Sequence, residues 1–264
     1  LTSSESESIF AETFSQIIES SLEGAEALKR YLDDDDARLT TTFGTDHLSK
    51  QFQQAASVIA ARRLTEHERD VFFIQMRGWD THFHLDDGVA PKWTTVNNAL
   101  TSFVNEMKAQ GVWDNVTIAM GSEFGRTIDN NGGGTDHGWG GNVFVMGGAV
   151  LGGQILGSFP ADMSHAANIR TGRALIPTMS WEGMWNALAL WFGVHTNDMA
   201  TVLPSLNNFV DCSSTGCGVI SEGMMFKGAP GPSPPPASPP DSPPLPPLVP
   251  PPPPSPPVPP HPPP

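Results

Sequence analysis

The sequence predicts an α/β domain followed by a separate proline-rich tail, and three observations carry that expectation. Two short apolar runs, Val71 to Met76 and Val116 to Met120, bracket an amphipathic stretch with Val96, Leu100, Phe103, Val104 and Met107 at helical spacing. Strand, helix, strand in that order reads as a crossover unit, which points to a parallel sheet covered by helices. Of the 27 prolines, all but Pro91, Pro160, Pro177 and Pro204 fall in residues 230–264, so the last segment is a different physical object from the rest.

The remaining elements follow in chain order. Residues 8–32 place Phe10, Phe14, Ile17, Ile18, Leu22, Ala25 and Leu28 on a helical stripe, with Ser4 and Glu7 as a capping box ahead of it. Asp33 to Asp36 then read as a solvated acidic loop, with an adventitious calcium site as the alternative. A second amphipathic helix runs from about Asp46 to Arg63, with Leu48, Phe52, Ala55 and Ile59 on one face. The helix through Met107 stops at Gly111. Val143 to Met146 reads as a third strand. Gly152-Gly153, between Ala149–Leu151 and Gln154–Leu156, is a two-residue hairpin signal. A last helix, Trp181 to Phe192, opens after Ser180 and ends at Gly193.

Composition narrows the class of function. The chain of 264 residues carries a formal net charge of −14, nearly all of it outside the tail, where Asp241 is the single charged residue. An acidic domain without a basic stripe repels phosphate backbones, which argues against nucleic-acid binding. No apolar run approaches the roughly 20 residues of a bilayer span. The chain starts at Leu1 without a basic and apolar leader, which is read as a truncation. Cys212 and Cys217, the two cysteines, permit a small disulfide loop in an oxidising compartment and are too few for a tetrahedral zinc site.

Ligands of open α/β sheets gather beyond the carboxyl ends of the strands, and three polar loops follow the expected strands. RGWDTHFHLDD, residues 77–87, sets Asp80, His82 and His84 close together. Carboxylate with imidazole suits zinc and tolerates manganese or iron; the four-residue step from Asp80 to His84 would align the two on a helical turn. GSEFGRT, residues 121–127, offers Glu123 as a cation ligand or base and Arg126 as a bidentate grip for phosphate or sulfate, or the two as a salt bridge. NNGGGTDHGWGG, residues 130–141, sets Asp136 and His137 among glycines that allow close backbone approach. The last loop lacks the lysine-serine ending of a phosphate-cradling loop, so nucleotide binding is rejected.

The ordered series GWDTH, SEFGRT, GTDHGWGGNVFVMGGAVLGGQILGSFP, WFGV and LPSLNNF resembles the family numbered 1501 among domains of unknown function, over about residues 9–210. That family is sulfatase-like and belongs to the alkaline phosphatase superfamily. The resemblance implies a three-layer α/β/α sandwich lacking its N-terminal part, and metal-dependent cleavage or transfer of phosphate or sulfate esters. It implies Asp80 with His82 or His84 as a ligand loop, and Glu123 and His137 as further ligands. Asp136 would orient His137, and Arg126 would stand with them as the catalytic cation. The cofactor would be a divalent metal, whether zinc, calcium, magnesium or manganese. Two departures stand out. Glu123-Phe124-Gly125 replaces Asp-His-Gly, putting an apolar ring where superfamily enzymes have a histidine ligand. The superfamily's first strand, with its nucleophile, has no counterpart in this chain.

Residues 1–210 are thus expected to form the domain, 211–229 a cysteine-bearing hinge, and 230–264 a disordered polyproline II tail. Proline fixes φ and removes the amide donor, so neither helix nor sheet can form there. Its Ser-Pro blocks resemble hydroxyproline-rich glycoproteins of plant and green-algal walls, which implies an extracellular or cell-wall location and wall polysaccharide or glycoprotein as partners. The alternative for such a tail is a ligand for SH3 or WW domains. For the domain, an anionic ester is the expected substrate. A non-catalytic wall or matrix protein is the opposing reading, and a module binding anionic polysaccharide a third.

Overall fold

The computed structural model describes residues 9–34, 37–65, 68–164, 170–209 and 218–228. The capping box at Ser4 and Glu7, Asp35 and Asp36, Cys212 and Cys217, and the tail from 230 onward lie outside the described residues. Within them the protein is mixed helix and strand. Helices α1 (Ile9–Leu32), α2 (His47–Ala60), α3 (Arg62–Thr65) and α4 (Leu85–Ala109) precede the short strands β1 (Thr117–Ala119), β2 (Gly125–Arg126), β3 (His137–Gly138), β4 (Val145–Gly147), β5 (Arg170–Thr171) and β6 (Ala174–Leu175). Helices α5 (Trp181–Phe192), α6 (Met199–Val202) and α7 (Glu222–Met225) follow.

Local chemistry accounts for the helix ends. Asp46 caps α2, its carboxylate accepting from the Ser49 amide at 3.0 Å and the Ser49 hydroxyl at 2.6 Å. Ser180 caps α5 by accepting from the Gly183 amide at 3.1 Å, and Gly193, at φ +98°, ends it in the left-handed conformation that glycine adopts without strain. Helix α4 begins about three turns earlier than its apolar spacing suggests and runs through Pro91. Its start is set by His84, which turns the chain at φ 56°.

Two apolar cores form. In the first, Leu48, Phe52, Ala55 and Ala56 of α2 pack against Ala99, Phe103 and Met107 of α4, with the Phe52 and Phe103 rings 5.1 Å apart. Each fully buried leucine, phenylalanine or methionine side chain contributes about 1.5–3 kcal/mol. Glu106 is buried beside Met107 and anchors the loop before α2. Its Oε2 accepts from the amides of Thr40 and Thr41, and its Oε1 from Gln110. The second core joins Met184, Ala187 and Leu188 of α5 to Ala149, Val150, Ile220, Met225 and Phe226.

The strands depart from the expected parallel crossover. β1 pairs with β4, β2 with β3, and β5 with β6, and all three described pairings are antiparallel. Val71 to Met76 is extended but joins no ladder, and Val71 and Phe73 are 83% and 88% exposed. Ile74 and Met76, by contrast, pack on the first core. A continuous apolar run does not by itself distinguish one-sided from two-sided burial, and this one is one-sided. The Gln51 side chain takes the place of a neighbouring strand. Its Oε1 accepts from the Gln75 amide at 3.0 Å and its Nε2 donates to the Gln75 carbonyl at 2.9 Å.

The hairpin expected at Gly152-Gly153 is also absent. Val150 bridges to Phe226 instead, and the Leu151 amide donates to the Met225 carbonyl at 2.8 Å. Packing of α7 supplied a better partner for this segment than its own chain neighbour.

Candidate metal centre

Three loops converge on one carboxylate. β2 and β3 pair so that Arg126 lies opposite His137, and both side chains reach Asp80. Arg126 donates to Asp80 Oδ1 at 2.6 Å, and His137 Nε2 lies 3.0 Å from the same oxygen. His82 Nε2 lies 3.1 Å from it. The ligand atoms of Asp80, His82 and His137 all fall within 4.8 Å of one another.

Backbone contacts hold the loops in register. The Thr135 amide donates to the Thr81 carbonyl at 3.2 Å, and the Thr127 amide to the Asp136 carbonyl at 3.0 Å. Glycine is required at two crossings. A Cβ on Gly134 would collide with the backbone of Thr81 and His82, and one on Gly138 with the backbone of Arg126. Arg126 adds two further ties, donating to the carbonyls of Thr135 and Trp79, both at 2.8 Å.

Asp136 is not among the clustered ligand atoms, and it orients a different imidazole from the one expected. Its Oδ1 lies 3.2 Å from His82 Nδ1 and accepts from Asn131 Nδ2 at 2.9 Å, while its Oδ2 is paired with Arg173. The resemblance implied His137, its chain neighbour. Consecutive residues of an extended strand point to opposite faces, which turns Asp136 away from His137.

His137 is held by a ring instead. Phe124 stacks on it at 3.9 Å between centroids with planes 7° apart, and the Arg126 guanidinium lies 5.0 Å from the Phe124 centroid. The ring that replaces a histidine in the resembled motif thus fixes the plane of a remaining one.

Two residues named from the sequence stand apart from the cluster. His84 precedes α4 in a left-handed turn. The helical alignment of Asp80 with His84 fails because residues 80–84 are not helical, and the pair that meets is two residues apart, Asp80 with His82. Glu123 is exposed and is not one of the clustered ligands. Conversely, Arg173 and Asn131 carried no spacing signal; their part depends on the β5–β6 turn and on the glycine-rich loop folding over the site.

Hydrogen bonds hold both carboxylates of the cluster in their charged form. The Arg126 hydrogen bond, then that from His137, holds the Asp80 carboxyl below the usual carboxylate range. Asn131, then His82, with a further contribution from Arg173, does the same for Asp136. Both carboxylates are therefore charged at neutral pH. Asp80 and His137 keep 53% and 52% of their side-chain surface in solvent, which leaves the centre accessible.

Ligands of a tetrahedral cation with bonds of about 2 Å lie roughly 3.3 Å apart, and the two separations from Asp80 Oδ1, which are also hydrogen-bond distances, are compatible with that. His82 faces a carboxylate from each ring nitrogen, Asp136 from Nδ1 and Asp80 from Nε2, so a cation at Nε2 would leave Nδ1–H to donate to Asp136.

A mixed α/β domain with an accessible Asp-His-His centre is the class that the fold and the site define. The family described as protein of unknown function (DUF1501) matches residues 10–184, well over half of the chain, and the chain belongs to that family. Comparison with curated proteins and with solved structures finds no match. No helix among the described residues is long and apolar enough to cross a membrane.

Proposed function

We propose that this chain carries a sulfatase-like, alkaline phosphatase-like domain related to metal-dependent phosphate- and sulfate-ester hydrolases, in a three-layer arrangement over about residues 1–210. The observation that supports this reading most is the convergence of Asp80, His82 and His137 from separate loops. These three residues would hold a divalent cation, zinc by the chemistry of the donors. When bound, such a cation supplies Lewis acidity toward an ester oxygen or a water. With a cation on Nε2, His82 would donate from Nδ1 to Asp136, and Phe124 keeps the His137 ring in one plane. Arg126 provides the planar fork that matches two oxygens of a phosphate or sulfate. An anionic ester is the corresponding substrate.

The second reading is a non-catalytic protein of the extracellular matrix or cell wall. It is favoured by the charge balance of the cluster, in which Arg126 answers Asp80 and Arg173 answers Asp136. A fold can keep such a network for its own stability. The expected hinge at 211–229 is not one over its described part, since Ile220, Met225 and Phe226 pack in the second core; the Ser-Pro and poly-Pro runs of residues 230–264 support an extracellular or wall setting under either reading, with wall polysaccharide or glycoprotein as the partner of the tail.

Turnover of nitrophenyl phosphate and nitrophenyl sulfate by the zinc-supplemented chain separates the two. Hydrolysis abolished by His137→Ala is the expected result. Equal rates for wild type and His137→Ala would leave the matrix reading standing.

A further inference from the structure

We infer that the ester bound at this centre is a carbohydrate sulfate or phosphate, its sugar ring laid against the exposed indole of Trp139. The inference rests on the proposed ester site and adds the chemistry of the alcohol half of the substrate.

An exposed aromatic ring accompanies each of the three converging loops. Phe83 follows His82 directly, keeps 71% of its surface in solvent and lies against Gly133 of the third loop. Trp139 stands two residues beyond His137 and is 65% exposed. Trp181, also exposed, lies against Gly121, at the start of the loop that carries Phe124 and Arg126. Single exposed apolar residues are ordinary on a protein surface. Rings gathered around a few convergent polar groups are the composition of a ligand site.

Trp139 is the ring whose backbone is best fixed relative to the site. Exposure alternates along residues 137–140, with His137 and Trp139 exposed, Gly138 half-buried and Gly140 buried. In an extended segment this alternation puts His137 and Trp139 on the same, solvent side, with Cα atoms about 7 Å apart. The chain is pinned on either side of the indole. Gly138 pairs with Gly125, and the Gly140 amide donates to the Leu175 carbonyl at 3.0 Å.

An oxyanion gripped by Arg126, opposite His137, leaves the rest of its molecule within reach of this ring. The openness of the rim decides what that rest is. An alkyl or aryl group gains most from enclosure on all sides, whereas an exposed indole offers one face. A pyranose matches that shape, covering the indole with its C–H face while the hydroxyls on its edge stay in water. Tryptophan supplies this large, rigid contact at low conformational-entropy cost.

Calorimetric titration of the zinc-supplemented full chain tests the inference. The probes are glucose 6-sulfate and glucose 6-phosphate, each compared with the propyl ester of the same anion. The expected result is a preference of about 3–10-fold for the sugar ester, the worth of one stacked ring, and the tighter of the two sugar esters names the anion. Trp139→Ala should remove the preference and leave propyl ester affinity unchanged, and Trp139→Phe should keep part of it. Saturation-transfer NMR from the aromatic protons should mark the sugar C–H protons in wild type and lose them in Trp139→Ala.

Sugar and propyl esters bound equally by wild type, or a preference that survives in Trp139→Ala, overturns the inference. So does an equal loss of propyl ester affinity in Trp139→Ala, because the indole then holds the strand rather than the ligand. In each of these cases, propyl ester binding that is lost in Arg126→Ala leaves the ester site itself standing. No binding of any of the four esters by wild type overturns both readings. If Trp139→Ala loses its fold by circular dichroism, Trp139→Leu against Trp139→Phe supplies the same comparison.

Discussion

Arg126 and His137 face each other across the β2–β3 pair and meet on a single atom, Asp80 Oδ1, at 2.6 and 3.0 Å. One is a permanent cation and the other is a potential metal ligand, so this oxygen stands between two kinds of partner.

Purified protein supplied with zinc should retain metal through Asp80, His82 and His137. Asp80→Ala, His82→Ala and His137→Ala should each lower affinity by more than the roughly 10–100-fold typical of outer supports. Glu123→Ala and His84→Ala, both outside the cluster, should leave affinity unchanged. Elemental analysis combined with competition against a chromogenic chelator measures this. Zinc held equally well by all five variants would remove the ligand assignment.

The stack of Phe124 on His137 should be visible as stability. Aromatic pairs add about 0.5–1.5 kcal/mol beyond their buried area, so Phe124→Leu should lower the unfolding free energy by an amount in that range. Urea denaturation followed by tryptophan fluorescence tests it. A double-mutant cycle with His137→Ala should show coupling of similar size; additive effects would mean that the rings merely lie side by side.

Gly134→Ala should disturb the centre more than its size suggests. The added methyl meets backbone rather than a mobile side chain, and such overpacking typically costs about 1–3 kcal/mol. The first and third loops should part, and zinc affinity should fall while helix content by circular dichroism stays near wild type. Gly152→Ala, at a position with open space around it, serves as the control.

Glu106 should contribute an acid limb to stability. Burial disfavours its charge, but hydrogen bonds from Gln110, Thr41 and Thr40 outweigh that and hold its carboxyl below the usual range. With the folded pKa below the unfolded one, the unfolded chain binds more protons between the two, so stability rises with pH there. The contribution is complete above the unfolded value and lost as pH falls through the folded one. Glu106→Ala should cost at least about 1–3 kcal/mol at neutral pH, the range for leaving a buried polar group unpaired. Glu106→Gln should flatten the acid limb of a stability-against-pH curve; an identical limb in both proteins would assign it to other carboxylates.

What was legible in the sequence was local. The spacing of Leu48, Phe52 and Ala55, and of Val96, Leu100, Phe103 and Met107, marked two helices because a 3.6-residue period survives in the chain itself. Ser180 and Gly193 marked the ends of α5 because a cap acts within a few residues. The GWDTH, SEFGRT and GTDHGWGG motifs named Asp80, His82, Arg126 and His137, whose side chains converge in space. Only the tertiary structure decided which of the nearby candidates belonged. His84 and Glu123 have the right chemistry, but the left-handed turn into α4 and the course of the chain before β2 keep them out of the cluster. Arg173, Asn131 and Phe124 entered it through contacts between segments up to tens of residues apart. Strand pairing was decided at the same level, since a backbone hydrogen bond needs a neighbour in space and an apolar run cannot name one. Short-range periodicity and capping are written in a linear chain; which polar groups share an oxygen depends on how the loops cross.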